Sequence, residues 1–168
     1  MNEKVLDSFA LAEFFIKNSE KENIISSVFD FFKLDCIERC NLDPANFTMV
    51  TGQDTVEAVY LLKDYIVHTH AKDGVMLDKD QDPADVYHAF AVGGVDALNA
   101  CKGFEEVPLG EGKANIPEVV RKLHELKYQG AFTIEREIPK GEQLDNDIRR
   151  AVDLLENEIS KYNWDFEE

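Results

Sequence analysis

Hydrophobic positions along the chain alternate between two spacings. Near the start, Phe9, Phe14 and Ile16, then Ile24, Ile25, Val28, Phe29 and Phe32, fall at helical intervals, with the polar run 18–23 between them. The spacing predicts a helical segment over residues 1–36. Residues 37–43 then read as a strand closing on the turn Asp43-Pro44-Ala45-Asn46. Asp54, with Glu57 three residues on, reads as the N-cap of a helix carrying Val56, Val59, Tyr60 and Lys63. Residues 65–70, Tyr-Ile-Val-His-Thr-His, are aromatic or β-branched enough for a second strand. Residues 83–101 suggest short helices interrupted by Gly93-Gly94. Ile116, Val119, Val120, Leu123 and Leu126 form a helical stripe with Pro117 in its first turn, ended by Gln129-Gly130. Residues 131–135 predict a third strand, and Ile148, Val152, Leu155 and Ile159 the stripe of a last helix.

Strand alternating with helix implies parallel strands joined by crossover helices. The fold class is therefore α/β. In α/β barrels chemistry gathers at the C-terminal ends of the strands. Each of the three predicted strands ends in an ionisable residue: Asp43, His70 and Glu135. Two carboxylates and an imidazole suit a divalent cation of the Mn, Mg or Co type better than a thiolate-rich zinc site, although zinc stays open. Such a cation would hold two oxygens of a sugar and stabilise an enediolate. Singly, each residue has an ordinary structural use: Asp before Pro is a common turn residue, and a strand-end His is often a hydrogen-bonded structural one.

Charge and cysteine content narrow the partners. With 34 acidic against 18 basic residues the net charge is −16, so neither nucleic acid nor an anionic membrane is an expected partner. Three cysteines, Cys36, Cys40 and Cys101, lack the spacing of a zinc finger and read as free thiols in a reducing cytoplasm. The N-terminus has no basic start followed by an apolar run, so no secretory signal is expected.

Several stretches together resemble one family. These are Asn41-Leu42-Asp43-Pro44-Ala45-Asn46, Gly52-Gln53-Asp54 before a helix, His68-Thr69-His70-Ala71-Lys72-Asp73, Val107-Pro108-Leu109-Gly110-Glu111-Gly112, and Tyr128-Gln129-Gly130 with Thr133-Ile134-Glu135. In this order, over about residues 40–159, they resemble the C-terminal part of sugar phosphate isomerases/epimerases of the xylose-isomerase-like superfamily. The resemblance implies a TIM barrel and isomerisation, epimerisation or dehydration next to a carbonyl. It implies a divalent metal, commonly Mn, held by Asp43, His70 and Glu135. Glu135 would double as acid/base, and Asn46, His68 and Lys72 would lie against a sugar, sugar phosphate or cyclitol. Endonuclease IV shares the superfamily, but the acidity and the four histidines here argue against a DNA-cutting multi-zinc site.

The family barrel has eight βα units and about 250 residues. Residues 37–168 match about the last three units, a partial TIM barrel preceded by the N-terminal helices of 1–36. The family's fourth ligand and second carboxylate, a Glu on the preceding strand, has no counterpart in the sequence. Two function classes follow: a metal-dependent isomerase/epimerase, or an inactive truncated barrel fragment serving as a folded or partner-binding domain. Unpaired strand edges predict a homo-oligomer, or a complement supplying the N-terminal half of the barrel.

Overall fold

The computed structural model describes residues 5–6 and 39–164 of the chain. Among these residues are six strands: β1 (Val5–Leu6), β2 (Arg39–Leu42), β3 (Ile66–Ala71), β4 (Asp73–Met76), β5 (Phe104–Val107) and β6 (Phe132–Ile134). Among the same residues four α-helices join them: α1 (Thr55–Leu62), α2 (Pro83–Ala100), α3 (Ile116–Glu125) and α4 (Glu142–Ile159). A π-helical turn, Asn46–Val50, follows β2.

The sheet runs β1-β2-β3-β6 with every neighbouring pair parallel. The three strands expected from the sequence are thus adjacent and in chain order. Val5–Leu6 departs from the helical reading of the first segment, because its backbone pairs with Arg39 and Cys40 on what would otherwise be an open edge of β2. The remainder of 1–36 lies outside the described residues.

The helices form because the sequence caps and stripes them. Asp54 accepts a 2.9 Å hydrogen bond from Glu57 N, satisfying one of the amides that a helix start leaves unpaired. Helix α1 buries Ala58, Val59 and Leu62, and α3 buries Ile116, Val119, Val120 and Leu123. Both pack on the outer face of the sheet, where Cys40, Leu42 and Ala71 are buried. Filling such a position with Leu42 contributes about 1.5–3 kcal/mol. On α4 the buried face is Asp147, Ala151, Leu155 and Glu158, and Val152 of the predicted stripe is instead 38% exposed. The tertiary reason is Arg136, whose guanidinium pairs with Asp147 and draws that polar side inward.

Helix α2 breaks at Gly94, whose φ of 64° and ψ of −156° lie outside the helical region. A residue with a side chain is strained there, which is why the glycine pair interrupts the helix. Strands β4 and β5 form an antiparallel hairpin that the sequence pattern does not reveal. Residues 77–103, with α2 among them, connect its two strands. Cys40 and Cys101 are free thiols, and burial pushes Cys40 up to about 12, so it stays protonated at neutral pH. Among the described residues no helix is long and apolar enough to cross a membrane.

Candidate metal centre

Parallel register brings the chemistry together. Asn41 lies beside His68 and Leu42 beside Thr69, while His70 lies beside Thr133 and Ala71 beside Ile134. One further step places Asp43 next to His70 and Glu135 next to Lys72, and Glu135 N donates to Ala71 O at 3.2 Å. Ligand atoms of Asp43, His70 and Glu135 all lie within 4.8 Å of one another. His70 Nδ1 is 3.8 Å from Asp43 Oδ2 and 2.8 Å from Glu135 Oε2.

Each member is held from behind. Asp43 Oδ1 accepts from Ala45 N at 3.0 Å and Asn46 N at 3.2 Å, and Oδ2 accepts from Asn46 Nδ2 at 2.9 Å. The turn after β2 therefore fixes the carboxylate. Asn41 Nδ2 lies 3.0 Å from His70 Nε2. The Asp43 carboxylate, and then Glu135, raise His70 to about 9, opposed by burial. The His70 contact in turn holds Glu135 below the usual carboxylate range.

The donor set fits a hard or borderline divalent cation. Two buried atoms of this site, Asn41 Oδ1 and His70 Nδ1, have no aligned hydrogen-bond partner. Rotating the Asn41 amide places Oδ1 against a protonated Nε2, satisfies the orphan and leaves the Nδ1 lone pair facing the two carboxylates. That is the tautomer a metal-ligating histidine needs.

Lys72 is only 3% exposed and sits among carboxylates: Glu106 Oε2 at 3.4 Å, Glu135 Oε2 at 3.5 Å, and Glu137 closer still. Burial disfavours its charge, but Asp43, Glu106, Glu135 and Glu137 together outweigh it and raise the ammonium above its ordinary value. Glu106 is anchored by Arg136 Nη1 at 3.1 Å and by Glu137 N at 2.8 Å. Asp73 accepts from the amides of Gly74, Gly110, Gly112 and Ala114 at 2.9–3.0 Å, tying β4 to the loop before α3. A Cβ on Gly112 would stand 2.2 Å from Asp73 Oδ1, so only glycine allows this approach.

Of the expected substrate residues, Asn46 and Lys72 line a cavity of about 250 Å³ together with Asp43, His70, Glu135 and Glu137. His68 does not line that cavity: its Nε2 is 2.8 Å from Thr133 Oγ1, and its ring stands perpendicular to His70 at 5.9 Å. Burial and then His70 lower its ionisation point. The sequence reading missed Asn41, Glu106, Glu137 and Tyr87. Spacing on β2 placed Asn41 on the same side as Asp43, and on the chain after β6 placed Glu137 on the same side as Glu135, which was the available signal. No local signal pointed to Glu106 or Tyr87, since both reach the site through the unforeseen hairpin and its helix.

A family model described as xylose isomerase-like TIM barrel matches residues 39–158, more than half of the chain. The chain belongs to this family. The xylose isomerase-like core thus runs from β2 to the last turns of α4, and it includes every residue of the centre just described. Among solved structures, a xylose isomerase domain protein from Planctomyces limnophilus is similar, with a TM-score of 0.60 and 23% identity. The likeness covers 82% of this chain and 42% of that one, so this chain spans less than half the length of its xylose isomerase-like neighbour. No curated protein matches.

Proposed function

We propose that the chain acts on a sugar or sugar-like carbonyl compound as a metal-dependent isomerase or epimerase, or as part of one. The observation that carries this reading is the convergence of Asp43, His70 and Glu135 at the ends of three adjacent parallel strands. These three would hold the cation, Mn²⁺ by preference. When bound, it would supply charge stabilisation to an enediolate.

The chain's own residues carry the rest. Glu135, kept ionised by His70 and Lys72, takes a proton from the carbon next to the carbonyl and returns it. Asn46 fixes Asp43 and offers its amide at the cavity edge. Lys72 holds Glu135 and Glu137 in place. His68 stands one alternation behind His70 and orients Thr133 at the back of the site. The family membership supports an isomerase or epimerase kind, and it lends nothing to the alternative of an inactive fragment.

The test is exchange with solvent. Deprotonation and return on one face need only Glu135, so the protein with Mn²⁺ and a panel of ketoses in D₂O should place deuterium next to the carbonyl. Glu135→Gln should slow this by roughly 10²–10⁴-fold. No incorporation with any ketose after long incubation would remove the reading.

A further inference from the structure

Helix α2 closes one side of the metal cavity with side chains the chemistry above does not use. Val86 is buried in a cluster with Ala45, Met49 and Val50, and the ring of Tyr87 packs against the same cluster. Tyr87 lines the cavity beside Asp43, His70 and Lys72. Its ring is thus fixed by apolar neighbours while its hydroxyl has no protein hydrogen-bond partner among the described residues. Burial raises the phenol above its ordinary value and Asp43 raises it further, with Lys72 opposing, so the group stays protonated and can donate. A half-buried hydroxyl in this state gains from a ligand oxygen what the protein does not provide.

The charges of the cavity narrow the ligand. Its described cationic side chains are Lys72 and His70. Lys72 already faces Glu106, Glu135 and Glu137, and His70 faces Asp43 and Glu135. With the divalent cation bound, Asp43, Glu135 and Glu137 are balanced by that cation and Lys72, and among the described residues of the wall no unpaired cationic side chain is left for a phosphate, which favours neutral hydroxyls.

Resting on the proposed function, we infer that the pocket takes an uncharged polyhydroxy carbonyl compound rather than its phosphate ester, and that Tyr87 reads one of its oxygens. Tyr87 is a binding residue on this account and needs no part in proton transfer.

The experiment is a titration of the Mn²⁺-loaded protein with D-fructose and, separately, D-fructose 6-phosphate, followed by Mn²⁺-induced broadening of the sugar's NMR signals. D-fructose should bind, with D-fructose 6-phosphate weaker. Tyr87→Phe should weaken D-fructose roughly tenfold, the loss of about one hydrogen bond, while Mn²⁺ affinity stays unchanged and so reports an intact fold. Tighter binding of the phosphate by the wild type overturns the substrate class without using any variant. Equal D-fructose affinity in Tyr87→Phe overturns the residue's role and leaves the functional reading standing. No binding of either sugar by the wild type sinks both.

Discussion

Asn41 and His70 lie on neighbouring parallel strands, 29 positions apart in sequence, with the Asn41 amide 3.0 Å from His70 Nε2. The contact decides which ring nitrogen faces Asp43 and Glu135. Second partners of this kind typically govern metal affinity by 10–100-fold.

Asn41→Leu should therefore weaken Mn²⁺ binding by roughly 10–100-fold in calorimetric titration, with the fold kept because Leu fills the buried Asn41 position without leaving a polar group unpaired there. Unchanged affinity would mean that the Asn41 contact plays no part in setting the tautomer.

His70→Ala removes one of three converging ligands and should abolish measurable Mn²⁺ heats. Equal heats in the wild type and the variant would show that the cation binds elsewhere.

Proton competition gives the metal-binding step a pH dependence. His70 is raised to about 9 in the metal-free protein, and a cation must displace that proton. Mn²⁺ affinity should rise with pH from 6 towards 9, with protons released on binding. In the metal-free protein the sign for folding is opposite. The raised value means that the His70 contribution to stability is fully present below its unfolded value near 6.5 and is lost as pH rises through about 9. Denaturant midpoints of the metal-free His70→Ala variant and the wild type should thus converge at high pH. A wild-type advantage growing with pH would contradict the assignment.

Asp73 holds four amides at once with a carboxylate that is 2% exposed. Asp73→Ala leaves those donors unsatisfied and should cost about 3 kcal/mol or more. Gly112→Ala should destabilise in the same assay, because its Cβ meets the carboxylate 2.2 Å away. A midpoint shift within error for both would show that the loop does not depend on this anchor.

Among the described residues β6 pairs on one side only, with β3. An edge of this kind in a chain spanning less than half of its solved relative favours association. Light scattering should give a mass above that of one chain. A single-chain mass at every concentration would show that the edge is covered from within.

The sequence by itself determined the alternation of three strands with helices, the Asp54 cap, the break at the paired glycines and the three residues that converge at the candidate metal centre. Each is written in local terms: a spacing of two or of 3.6, a capping residue, a polar group at the end of an apolar run. The tertiary structure decided which side chains act on those three. Glu137 reaches Lys72 across 65 positions and Asn41 reaches His70 across 29. Glu106 and Tyr87 arrive on a hairpin and a helix whose pairing depends on contacts between distant segments. The inward turn of Asp147 on α4 likewise follows from Arg136 on another element. Local periodicity says which residues share a face. Which charges then meet across the site depends on strand register and on what packs over the cavity, and both are settled only when the whole sheet forms.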